Sequence, residues 1–235
     1  MEKKEIVKLQ KSKRIKDFLP LMKEYGSSDI SDMLCTYSFN VVQETDLSKY
    51  GNLSDYEIVI CGQIGKAGTS LICNLKRDVL YSKLNNRFVD SGLDMLAFGP
   101  DSSDIMLPDT ISAITIPVGE GGLYKALFSL WQLAGLGFSI EYSLVPVKQV
   151  TIEACEIFDL DPWQLLSGKC SLFITDHPEA LKRHFKEQGV ICETIGHMLP
   201  GKDKLICHRE NVSRLNRPGP DEILKIIKDC FIAND

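Results

Sequence analysis

The chain has 235 residues, 44% of them apolar and 25% charged, with a net charge of −5. That length suits one large domain with its own core, needing neither disulfides nor metal to fold. The acidic balance argues against a nucleic-acid partner, which needs surplus Lys and Arg to neutralise phosphate, and no apolar run reaches the roughly 18–20 residues that span a membrane.

Charge is not evenly spread. Residues 1–26 hold eight Lys/Arg against four Asp/Glu, leaving a balance of −9 for the rest. This start, "EKKEIVKLQKSKRIKDF", reads as a charged helix whose narrow apolar stripe is Ile6, Leu9, Ile15, Phe18 and Leu19. Pro20 disfavours helical geometry at Leu19, so a break is expected there, before a short helix through "LMKEY" that stops at Gly26. Residues 27–55 are mixed and turn-rich, with one strand expected around Tyr37–Val42. Asp29 and Asp32 sit close enough to hold magnesium, but capping explains them more simply. Residues 1–56 are therefore read as a basic helical arm and linker, and 57–235 as the folded domain.

A more regular alternation follows. "EIVIC" is a buried strand, "GQIGKAG" a loop, and "TSLICNLKRDVLYSKL" a helix with Thr69 and Ser70 as cap candidates. A second helix is expected over Phe88–Phe98, then an exposed loop at "GPDSSD". Ile111–Val118 reads as strand, Leu123–Leu133 as a helix with Leu123, Leu127, Leu130 and Trp131 on one face, and Phe138–Tyr142 as strand. "QVTIEACEIF" is helix, "DPWQLL" a short helical turn opened by Pro162, and "CSLFIT" a strand. "DHPEALKRHFKEQG" is a helix closed by Gly189, "ICETIG" and "KLICH" are strands, and "PDEILKIIKDCF" is a terminal helix. Alternating strands and helices predict an α/β layered domain.

The residues with chemical potential are few. Gly119, Glu120, Gly121 and Gly122 lead a strand into a helix, where consecutive glycines let the backbone approach an anion and the first-turn N–H groups attract it. Such glycines also serve packing alone. Glu120 beside them would repel phosphate; it reads either as a magnesium ligand or as a helix-start charge favoured by the dipole. Gly62–Ser70 fits neither the P-loop nor the Rossmann spacing and reads as a tight strand-to-helix connection. His177, His184, His197 and His208 form no metal motif, Cys207 and His208 point to opposite faces of a strand, and no nucleophile elbow occurs. The eight cysteines include no C-x2-C pair and no disulfide-like spacing, so reduced thiols and a cytoplasmic location are expected.

From about Ile58 to Lys225 the chain resembles the C-terminal domain of the aminoimidazole ribonucleotide (AIR) synthetase-related superfamily, in its hydrogenase-maturation HypE-like branch. The segments carrying the resemblance are "VICGQIGKAGTSLI", "VGEGGLYKALFSLWQLAGLGFSIEYSLVPVKQVTIEACEIFDLDP", "LLSGKCSLFIT", "ETIGHMLPGKDKLI" and "RPGPDEILKI". The resemblance implies a three-layer α/β (α+β) fold with a mixed sheet and some ferredoxin-like topology. In complete relatives a separate N-terminal domain binds ATP and magnesium and forms the dimer, and the loop matching Gly119–Leu123 faces the active cleft. Pro117 stands where relatives carry Asp, and proline supplies neither a carboxylate nor a backbone donor. Residues 1–57 show no magnesium motif. The chain is therefore expected to be non-catalytic alone, with ATP and magnesium entering only through a partner subunit. The glycine turn is expected to be a relic that still holds an anion or phosphorylated small molecule weakly, with Lys66 and Lys169 as cationic helpers. A homodimer is the other expected assembly. Cys230 lies where a HypE-type terminal cysteine would be sought, but it reads as part of a helix face.

Overall fold

A computed structural model describes residues 9–24, 36, 47–96, 100–102 and 104–232. Asp29, Asp32 and the strand expected at 37–42 lie outside these residues. The sheet has seven strands: β1 (Glu57–Cys61), β2 (Ile114–Pro117), β3 (Gly137–Glu141), β4 (Ser171–Thr175), β5 (Cys192–Leu199), β6 (Lys204–His208) and β7 (Asn211–Arg214). Their order is β2-β4-β1-β5-β3-β6-β7. Neighbours run antiparallel except β3 and β6, which are parallel, so the sheet is mixed and the fold is α/β. Pro117 is tolerated because β2 is an edge strand, where a missing ladder donor is affordable.

The helices are α1 (Leu19–Glu24), α2 (Lys66–Leu75), α3 (Arg77–Tyr81), α4 (Asn86–Leu93), α5 (Gly122–Ala134), α6 (Gln149–Ile157), α7 (Pro178–Glu187) and α8 (Ile223–Phe231). Strand alternation sorts them into layers. Ile58, Ile60, Leu172 and Ile174 point to one face and pack with Leu123, Ala126, Leu127 and Leu130 of α5. Val59, Cys61 and Phe173 point to the other and meet Leu181 and Phe185 of α7. With both faces covered, β1 is buried over four of its five residues, which is why "EIVIC" reads as an unbroken apolar run.

A further apolar cluster joins α2, α4, α6 and α8, and the N-terminal arm closes it. A tight turn at Ile15–Phe18 runs into α1, and Ile15, Phe18 and Met22 are fully buried there. Burying each such side chain is worth about 1.5–3 kcal/mol relative to leaving it exposed. Lys228 Nζ of α8 donates to the carbonyls of Gln10 (3.1 Å) and Ser12 (2.7 Å) and lies 6.0 Å over the Phe18 ring. The break expected at Leu19 is replaced by a helix start, since Pro20 falls in the first turn where its missing N–H has no partner to lose.

Among the departures from the sequence reading, three have a clear local reason. α2 begins at Lys66 behind a left-handed Gly65 (φ 71°), so Thr69 and Ser70 lie inside the helix instead of capping it. Thr69 Oγ1 donates to the Gly65 carbonyl and Ser70 Oγ to that of Leu93. α4 begins at Asn86 because the Asn85 side chain caps it by accepting from Arg87 N–H. β7 is an exposed polar edge strand, and "NVSR" gave no apolar alternation to reveal it.

The cysteines require a correction. Cys61 and Cys192 form a disulfide. They are 131 residues apart in sequence, yet directly opposite across β1 and β5 with Cα atoms 4.2 Å apart. Linear spacing carries no trace of that register. Cys73, Cys155, Cys170, Cys207 and Cys230 are free thiols.

Candidate functional site

Both glycine loops noted in the sequence end at one place. Segment 161–169 lies between the starts of α2, α5 and α8 and is hydrogen-bonded to all three neighbourhoods. Gly65 N–H donates to Ser167 Oγ (2.8 Å) and Gly68 N–H to the Leu166 carbonyl (2.8 Å). Ser167 N–H donates to the Gly119 carbonyl (3.2 Å), and Glu222 N–H to that of Gln164 (3.2 Å).

Gly121 and Gly122 have positive φ (80° and 62°), a conformation in which side chains are strained. Gly122 also has no room for one: a Cβ there would lie 2.4 Å from the Trp163 carbonyl oxygen and 2.9 Å from that of Leu165. The turn is thus pressed against backbone. Gly119, Gly121 and Gly122 are all buried.

The Gly121 N–H, first of the donors expected to meet an anion, is occupied. It donates to Asp221 Oδ2 at 2.5 Å. Asp221 Oδ1 accepts from Leu166 N–H (3.1 Å) and Ile223 N–H (2.9 Å), so one carboxylate ties the α5 turn, the 161–169 segment and the α8 start together. Asp221 is 3% exposed. Burial pushes its pKa up to about 7, opposed by the three N–H donors and reinforced by the nearby Glu120 charge. Sequence reasoning missed this residue. Its one signal was position, an Asp two residues before a helix, where a side chain can accept from a free first-turn N–H.

Glu120 turns toward the arm. Its Oε1 accepts from Ile15 N–H (3.0 Å) and its Oε2 lies 3.7 Å from Lys125 Nζ. Lys66 and Lys169 fall on another side of the 161–169 segment. Burial lowers the pKa of Lys66 below the ordinary ammonium range, with Lys148 and Lys169 lowering it further and Cys170 and Asp101 opposing. Burial pushes the Cys170 thiol up to about 12, with Lys66 pulling against it. Three cations therefore gather near the start of α2, while Glu120 answers to the arm. Cys230 sits half-buried on α8 beside Lys76, and burial raises its thiol above the ordinary range.

The donor set does not fit a magnesium–nucleotide centre. The two carboxylates at the turn are engaged with backbone N–H groups and Lys125, and no three His, Cys, Asp or Glu side chains converge among the described residues. No step through a bound metal is derived from it.

No family model and no curated protein matches the chain. Solved structures do. The HypE–HypF complex matches at 19% identity over 70% of this chain and 53% of that one, with a TM-score of 0.52. HypE of E. coli, a hydrogenase maturation protein, matches at 15% identity over 74% and 53%, with a TM-score of 0.56. Thiamine-monophosphate kinase from Stenotrophomonas maltophilia K279a matches at 15% identity over 68% and 51%, with a TM-score of 0.50. The chain shares the AIR-synthetase-related fold and spans about half the length of the solved structures it matches.

Proposed function

We propose, from this shared fold, that the chain by itself is a non-catalytic binding or assembly module. One observation carries the reading. The backbone donor that an external phosphate would take at the start of α5 already holds the carboxylate of Asp221. Phosphoryl transfer relies on positioning and on metal-borne neutralisation of charge, and the turn presents instead two engaged carboxylates. What attraction remains for a phosphorylated small molecule is weak and falls to Lys66, Lys148 and Lys169. The reading includes a cytoplasmic location; among the described residues no helix is long and apolar enough to cross a membrane.

The likeness to HypE, solved in complex with HypF, supports an assembly role and the link to hydrogenase maturation that forms part of the proposal. A second reading is a subunit completed by a separate ATP-binding chain, favoured by the glycine-rich turn retained at the start of α5. Homodimerisation is the other assembly the proposal admits.

Titration calorimetry of the chain with ATP and magnesium tests the proposal. The expected result is no saturable heat beyond dilution. Strong stoichiometric binding would overturn it.

A further inference from the structure

We propose that Cys61–Cys192 is a reversible redox couple, opened at Cys192 by an anionic low-molecular-weight thiol of the glutathione class. The two sulfurs differ in access: Cys61 is 0% exposed within the α7-facing cluster, whereas Cys192 is partly exposed. Cys192 lines an open cleft of about 690 Å³ whose wall along α7 carries Lys182, Arg183 and Lys186. Lys182 is paired with Glu179 (2.5 Å), while Arg183 and Lys186 have no ion-pair partner among the described residues. Cations beside the attacked sulfur draw in an anionic attacker.

The fold does not depend on the bridge. β1 and β5 stay paired along their length, and Gly62 N–H donates to the Ile191 carbonyl (2.8 Å) immediately beside the disulfide. Bridges that solvent can reach are the labile ones, and in the reducing compartment that the proposed function includes, disulfides are chiefly catalytic or sensing.

The exchange balances. A thiolate RS⁻ attacks Cys192 Sγ, forming the mixed disulfide and breaking the Sγ–Sγ bond, and Cys61 leaves as a thiolate that takes up a proton. A second thiol then releases RSSR and leaves Cys192 reduced. The sum is protein disulfide plus two RSH giving two protein thiols plus RSSR. Oxidised thiol reverses it.

The test uses the full chain, purified without reductant. It is incubated at millimolar concentration with glutathione or with uncharged 2-mercaptoethanol, quenched with a maleimide, and mapped by mass spectrometry. Glutathione should make Cys192 reactive without denaturant and Cys61 after denaturation, with a transient adduct on Cys192, an unchanged far-UV spectrum, and re-formation by oxidised glutathione. An Arg183→Ala/Lys186→Ala variant should slow the glutathione reaction roughly 3–10-fold and that of 2-mercaptoethanol, whose thiolate carries one negative charge where glutathione's carries two, clearly less. A Cys192 label that needs denaturant, an adduct on Cys61, or a variant that slows neither reagent or slows both equally would overturn the proposal.

Discussion

Replacing Asp221 with alanine is expected to destabilise the fold by about 3–6 kcal/mol. The change strands three buried donors, the N–H groups of Gly121, Leu166 and Ile223, and an unmet buried donor costs about 1–3 kcal/mol. Urea unfolding should show a lower midpoint with an unchanged slope. Asp221→Asn should lose less, because its carbonyl can still accept from Leu166 and Ile223 while its amide opposes the Gly121 donor. The same residue sets a pH dependence. Its folded pKa, about 7, lies above the ordinary 3.8. Between those values the folded chain holds a proton that the unfolded chain has lost. Its contribution is therefore fully present below pH 4 and disappears as pH rises to about 7, a change on the order of 4 kcal/mol. Wild type should gain stability between pH 8 and pH 5 relative to Asp221→Asn, measured side by side. The opposite slope would show that the three donors outweigh burial.

Gly122→Ala is expected to cost about 3–5 kcal/mol, from a left-handed backbone of roughly 1–2 kcal/mol together with a clash. The added Cβ would meet the carbonyl oxygens of Trp163 and Leu165, which cannot swing aside as a side chain could. Gly135, at the other end of α5, isolates the two terms. Its φ is 67°, but nothing lies within 4 Å of its Cβ position. Gly135→Ala should therefore lose only the backbone term, about 1 kcal/mol. Equal losses at both positions would show that the close packing at Gly122 carries no energy.

The parts of the fold legible in the sequence were those whose burial writes a pattern. "EIVIC" and "SLFIT" are covered on both faces and read as apolar runs, and α5 and α7 show helical stripes that match their buried residues. β7 wrote nothing, being an exposed edge. The glycine turn was legible as a turn, and Gly65 was visible within a loop, but its role as the start of α2 was obscured by the hydroxyls of Thr69 and Ser70. What could not be read was partnership over distance. The carboxylate that meets Gly121 comes from 100 residues further along the chain, and the sulfur that meets Cys61 from 131 residues further. The segment "RPGPDEILKI" contributed to the fold resemblance without revealing that its Asp closes the turn at Gly121.

The central claim is that the glycine turn is filled by the protein's own carboxylate, and the amide of Gly121 reports on it directly. In a ¹⁵N-labelled sample, millimolar phosphate or ATP with magnesium should leave the Gly121 resonance in place, while Asp221→Asn should move it strongly. A saturable shift of that resonance on adding nucleotide to the wild-type chain would mean the donor is open to an external anion, and would contradict the account.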